Sequence, residues 1–565
     1  MGCTIHKEKA VRLLQEILIL EWLALLWRTD AKYSCYLILG LLALVLTERG
    51  QKRTNLRLSE RVVINALAAF LSALIMIANY EIIETILIGF LCIGGGFVVW
   101  RRCLLELYDR MTLKRISGGS LENDLSRRVF FYVFAGCSVI YMSVLLLANY
   151  PGVLSPDSVN QLDQVVSGVY SNHHPYWHTR LIGLFVHPCM AMFNSAELGI
   201  LAYCIAQILM MAGCFAFAVM TAYQAGVRIQ YVMVMGAFYM LAPYHILYSF
   251  TVWKDILFGG SVLLLVASLY RICRNIGGGI LNYAVFLTGA IGMALLRNNG
   301  WIALATTFVL WVLFFRRRQV AVIVIFVAVL AVSWVMCNPV LEKKGVTPGN
   351  YRESLSIPIQ QIARVLVEDG DVTDEQKELI NRVIPVDWVP QLYDEQISDP
   401  VKFNVDGEYI RENKAAYLKL WLEIGDRNTK TYCKALIEST KGYWNAGYNY
   451  WILGRGVYPN EHGVSRTVFS VPVDNLMMEY ADTFERLGLS IPLCSIGMCV
   501  WTMGILMVFN ALRGQKALAF LAVPVLMIIG TLIIASPVFS EFRYAYAVFT
   551  VLPMYVSLSL FAKDT

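Results

Sequence analysis

Long apolar runs separated by short polar breaks dominate the chain. Thirteen such runs fall at 33–47, 62–79, 82–100, 129–149, 198–223, 228–241, 255–270, 279–296, 300–315, 319–336, 488–509, 517–535 and 544–561. Each is near the ~20 residues that cross a bilayer as a helix. Residues 11–28 place Glu16 and Glu21 inside an apolar stretch, which predicts an interfacial or half-buried helix. The pattern changes at 337–487, where the composition is that of a soluble segment. There, 373–384 opens with a Thr373…Gln376 capping box, and 409–427 has helical periodicity. The expectation is an all-α polytopic membrane protein of about 13 transmembrane helices, with a large, mainly helical extracytoplasmic segment. Its parts are an N-terminal membrane module (1–128), a transmembrane core (129–336) with an external loop at 150–197, the extracytoplasmic segment (337–487) and C-terminal transmembrane helices (488–565). No internal repeat is visible.

Composition narrows the class. With 57% hydrophobic and 16% charged residues, the chain is neither a soluble enzyme, nor disordered, nor a disulfide scaffold. The net charge of +6 is unevenly spread: 337–487 holds 17 Lys+Arg against 23 Asp+Glu, and the remainder 30 against 18. The basic excess lies in short loops, where it signals orientation, and no nucleic-acid partner is implied. Arg101, Arg102, Arg110, Lys114, Arg115, Arg127 and Arg128 make 101–128 cytoplasmic. Counting onward puts 150–197, 242–254, 297–299, 337–487 and 536–543 outside. Arg228, Arg271, Arg274, Arg316, Arg317, Arg318, Arg513 and Lys516 then fall inside. The 13 cysteines show no C-x-x-C and no Cys/His cluster, so neither a metal nor a redox site is indicated. The pairing of the external Cys337 and Cys433 stays open. The N-terminus matches myristoylation poorly and shows no cleavable signal, so the early runs are expected to be retained spans.

The chemistry concentrates outside. Ser155-Pro156 is a helix start, Ser as N-cap and Pro in the first turn. In the following helix Val159, Leu162 and Val166 share one face. Asp157, Asn160, Gln161 and Gln164 share the other, turned toward a cavity or water. Asp157 either supports the helix N-terminus through its dipole or acts as a base. A second short helix is expected at about 176–187. His173, His174, His178 and His187 crowd this stretch, but Pro175 holds His174 extended, so His174 and His178 do not share a helix face. Hydrogen bonding to a polar substrate suits His173 and His174 better than metal binding. Lys254, Asp255, Arg297, Glu541 and Arg543 recur at external span ends. Singly these are ordinary anchors; together, several cations suit an anionic lipid head group such as a phosphate.

PGVLSPDS (151–158), HHPYWHT (173–179), WKDILF (253–258), LLRNNG (295–300), ESLSIPIQQIAR (353–364), ISDPVKFN (397–404), KGYW (441–444) and SEFRYAY (540–546) together carry a resemblance. From about 129 to 561 the chain resembles the GT-C class of membrane glycosyltransferases, through bacterial multipass proteins placed near that class. It departs from the class in having Asp157-Ser158 where many members have Asp-Glu. The resemblance implies a GT-C-like bundle in a bacterial plasma membrane. It implies inverting transfer of a sugar from a polyprenyl-phosphate donor to an extracytoplasmic glycan, lipid or protein, without a cofactor. Asp157 would be the general base. Asn160, Gln161, His173, His174 and Asp255 would bind substrate, and Lys254, Arg297 and Arg543 the lipid phosphate. A transporter or flippase, or a polymerase or ligase of lipid-linked glycans, are the other classes open to such a chain.

Overall fold

The computed structural model describes residues 2–27, 34–48, 56–82, 86–113, 123–315, 319–448, 454–487, 493–535 and 538–562. Among these the fold is all-helical, and β-pairing is confined to isolated bridges. Seven of the described helices are long and apolar enough to cross a membrane, and the chain is a membrane protein. Several predicted runs become shorter apolar helices: Ile229–Leu241, Ile280–Leu295, Gly300–Phe314, Ile496–Leu512 and Tyr546–Phe561. Pro243 breaks the first from the short helix Pro243–Tyr248, and the polar turn at 297–299 divides the next two.

Two readings of the N-terminal region change. The expected loop at 101–128 is partly helix, because Ile86–Leu113 continues through Arg101, Arg102 and Arg110. These arginines reach Asn65, Gln15 and Glu106 at 3.0, 2.6 and 2.6 Å, so the helix runs on past its apolar stretch. Lys114 and Arg115, like 316–318, lie outside the described residues. The stretch 11–28 belongs to the helix Gly2–Leu26, which is half-buried through Ile19, Trp22 and Leu26 against the module's other helices.

Helix Lys254–Arg274 is the hub of the bundle, buried along most of its length against Ala196–Gln224, Ile280–Leu295 and Tyr546–Phe561. Glycine permits these approaches: a Cβ at Gly289 would stand 2.6 Å from the Leu265 backbone nitrogen. The two ends of the bundle gather different residues. At one, Arg271 bonds Asn282 at 2.8 Å and Thr221 at 3.3 Å, and Gln319 bonds the Ile272 carbonyl. At the other, the segments around 153, 251, 297 and 543 converge. This is the grouping that the charge alternation predicts.

The segment 337–487 divides. Its middle has a core of its own, including Ile359, Val365, Ile384, Val405, Leu420 and Ile424. The Thr373–Gln376 box closes as predicted, at 3.1 and 3.3 Å. The expected helix at 409–427 is interrupted at Asn413, giving Gly407–Glu412 and Lys414–Arg427. The last part, 454–487, returns to the bundle, where Tyr480 donates to the Leu241 carbonyl at 2.7 Å. Cys337 and Cys433 are both free thiols.

Candidate functional site

Two helix starts are held side by side by backbone pairing. Val153 N–H donates to the Phe250 carbonyl at 3.1 Å, and Val252 N–H to the Val153 carbonyl at 3.0 Å. The Trp253 indole N–H bonds Ser155 Oγ at 2.7 Å, and Ser158 Oγ donates to the Val252 carbonyl at 2.8 Å. From this frame start Pro156–Ser167 and Lys254–Arg274, each with a carboxylate in its first turn: Asp157 and Asp255. Both places favour an anion through the helix dipole.

The loop before Tyr546–Phe561 supplies Arg543. Its Nη1 lies 2.8 Å from Asp157 Oδ2, and its guanidinium stands over the rings of Trp253 and Tyr544 at 5.1 and 4.8 Å. The turn before Gly300–Phe314 supplies Arg297. Its Nη1 donates to the Tyr544 carbonyl at 2.6 Å, its Nε lies 3.4 Å from Asp255 Oδ1, and it stands 5.2 Å from the Tyr544 ring centre. The two arginines therefore share Tyr544. Asp255 is 1% exposed, and neither of its oxygens has a hydrogen-bond partner, so Arg297 is the charged group set against it. Lys254 stands close enough to influence Asp157, His174 and Arg543 electrostatically.

The charge states follow from these neighbours. Burial pushes the Asp157 carboxyl up, but Arg543, Lys254 and His174 outweigh it and hold the carboxyl well below the usual range. His174 is buried, and burial together with Lys254 lowers its pKa, so the ring is neutral at pH 7. Glu541 is 5% exposed, and burial pushes its carboxyl up to about 7 against the opposing pull of Arg543. Its Oε1 accepts from the Arg543 backbone N–H at 3.4 Å. Glu541 stands out in the sequence without an assigned role, and Trp253 and Tyr544 carry none there, although each adjoins one of the cations Lys254 and Arg543.

The helix Pro156–Ser167 is turned differently from the expectation. Ser158, Gln161, Leu162 and Val165 are buried, and Val166 is exposed. Gln161 points into the protein, where its amide bonds His178 and Thr179 at 3.0 and 2.8 Å. His178 continues to Tyr203 at 2.9 Å, and Tyr203 to Gln207 at 2.9 Å. These fully buried groups satisfy one another, which explains why the helix can bury Gln161 beside Val159 and Leu162. Gln161 thus anchors the helix. Asn160 is exposed and accepts from Gln164 at 2.9 Å. The second helix is longer than expected, Tyr176–Phe193, and starts after His174, so His174 and His178 share no helical face. His173 is exposed beside His174, their rings 4.6 Å apart.

From Arg297 a cleft of about 540 Å³ opens between the helices Tyr176–Phe193, Gly300–Phe314 and Val320–Cys337. Arg297, Asn298 and Asn172 form part of its polar lining, and Trp177, Trp301 and Trp334 part of its apolar lining. Trp334 and Trp301 are largely exposed on the bundle surface. An apolar channel with a charged end suits an amphiphile.

The segment 337–487 touches this site directly. Helix Thr429–Trp444 ends on the 538–543 loop, where the Glu541 N–H donates to Tyr443 Oη at 3.1 Å. A Cβ at Gly442 would overlap Ser540, so only glycine allows this approach.

No curated protein and no solved structure matches the chain. A family does match, over residues 166–564, a span that takes in His173, His174, Lys254, Asp255, Arg297 and Arg543 but begins after Asp157. The match covers well over half the chain, which therefore belongs to DUF6020, a family of unknown function.

Proposed function

We propose that the protein is an integral membrane glycosyltransferase of a bacterial plasma membrane, with a GT-C-like bundle of about 13 spans. It transfers a sugar from a polyprenyl-phosphate donor to an extracytoplasmic glycan, lipid or protein. The observation that carries this reading is the pairing of Arg297 and Arg543 around Tyr544, with Arg297 also lining a cleft with aromatic walls. The cleft suits the prenyl chain, and the arginines, with Lys254, suit its phosphate.

In the transfer, the acceptor oxygen bonds to the sugar's anomeric carbon as the bond from that carbon to the phosphate oxygen breaks. The acceptor's proton passes to a carboxylate, and polyprenyl phosphate leaves with its charge balanced by the cations. Asp157 is the proton acceptor in this scheme. Its ion pair with Arg543 keeps it ionised but weakly basic. A donor phosphate on Arg543 would share the guanidinium and return proton affinity to Asp157. His174, neutral and buried beside it, supplies hydrogen bonds to the substrate, with Asp255 and the exposed Asn160 and His173 at the margins. The notable charges sit at span ends, which favours transfer over ion-coupled transport. The test is polyprenyl-phosphate binding by purified protein: Arg297→Ala and Arg543→Ala should each weaken it about tenfold or more. Unchanged binding in both folded variants would overturn the assignment.

A further inference from the structure

We propose that the external domain carries a second site, separate from the cleft, for the tail of a single-chain anionic amphiphile such as a fatty acid. Inside the domain's own core lies a cavity of about 160 Å³. Packed interiors leave few voids larger than a water molecule, so a hollow of this size in a small core needs an explanation. Its walls are almost wholly apolar: Ile359 and Ala363 come from helix Ser356–Val367, Val383 and Val405 from the connecting segments, and Tyr417 and Trp421 from helix Lys414–Arg427. Such a void does not hold ordered water, which needs polar partners; a ~150 Å³ apolar cavity instead admits a molecule of about benzene size. There is room here for the end of one chain and none for a two-chain lipid.

The mouth indicates the head group. Lys414 lines the cavity at its exposed edge, with its ammonium 4.9 Å from the Tyr351 ring centre and, among the described residues, no carboxylate within ion-pair distance. Leu418, one turn further along the same helix, also lines the cavity and is 57% exposed. An exposed leucine beside a cation at an apolar opening matches a carboxylate followed by a methylene chain. The wall helix Ser356–Val367 packs on Thr429–Trp444, whose end touches Glu541, so the site lies one helix from the membrane-proximal cluster.

The test uses the full chain in phosphatidylcholine nanodiscs and dodecanoate carrying a photoactivatable diazirine near the tail end. Cross-links are expected on Ile359, Ala363 or Val405, and unlabelled dodecanoate should displace them. Competitor affinity should rise about fourfold for each methylene added up to the cavity's depth. Ala363→Leu, which fills the void, should cut labelling at least tenfold without lowering the melting temperature. Should that variant not fold, Val405→Leu serves in the same measurement. Lys414→Ala should weaken dodecanoate competition about three- to tenfold and leave dodecanol competition unchanged. Labelling confined to the membrane helices, or undiminished in a folded cavity-filling variant, would overturn the site. Equal competition by dodecanoate before and after Lys414→Ala would overturn its anionic character.

Discussion

Arg543 and Asp157, 386 residues apart in the chain, meet at 2.8 Å and tie the last described helix to the helix Pro156–Ser167. Because Asp157 is held below its ordinary pKa, its stabilisation is in place above about pH 4 and is lost as the pH falls below that. Asp157→Asn should therefore cost about 1–2 kcal/mol at pH 7, allowing for partial exposure, and progressively less below pH 4. Thermal melts of both proteins between pH 3 and 7 check this. An equal difference across that range would speak against the ion pair.

Glu541 has the opposite sign. Its folded pKa, about 7, lies above the ordinary value, so its contribution is in place at acid pH and is lost as the pH rises toward 7. Glu541→Gln should gain stability relative to the parent as the pH rises from about 5 to 8. Parallel melting curves over that interval would show that Glu541 titrates normally.

Much of this arrangement was legible in the chain. The apolar runs mark the apolar helices, seven of the described ones long enough to cross a membrane, and the basic loops group segments that lie together at each end of the bundle. Asp157 stands out at the start of an amphipathic helix, and Lys254, Arg297 and Arg543 stand out together because several cations recur at span ends where the positive-inside bias does not favour them. The burial of Gln161 in helix Pro156–Ser167 is not legible. Periodicity places it on a solvated face with Asn160, and only the buried His178–Tyr203–Gln207 chain, contributed by two other helices, draws it inward. Glu541 was hard to weigh for a similar reason: its burial depends on a contact with Tyr443, which nothing local announces.

That contact gives a packing test. Gly442→Ala should push the 538–543 loop away, since the added methyl would overlap Ser540 and lie 2.8 Å from the Phe539 carbonyl. The expected loss is about 1–3 kcal/mol. Donor binding should fall along with stability, because Arg543 rides on that loop. Full stability and full binding in Gly442→Ala would show that helix Thr429–Trp444 does not brace the site.

Arg297 is the nearest balancing cation for the buried Asp255. Arg297→Ala should cost about 3–5 kcal/mol by leaving that carboxylate unmatched. Asp255→Asn in the same chain should recover at least half of the loss without restoring donor binding. Melts and binding measured together separate the structural share from the phosphate contact, and a double variant no more stable than Arg297→Ala would remove the pairing from the account.

The central claim is sugar transfer with Asp157 as proton acceptor, and one measurement reaches it directly: initial rates of sugar release from a polyprenyl-phosphate hexose by purified parent and Asp157→Asn protein, each checked by a thermal melt. The parent should release sugar to an added acceptor. The variant should stay folded and be slower by about 10²–10⁴-fold. Release at the parent's rate by a folded Asp157→Asn protein, or no release by the parent from any polyprenyl-phosphate hexose, would contradict the account.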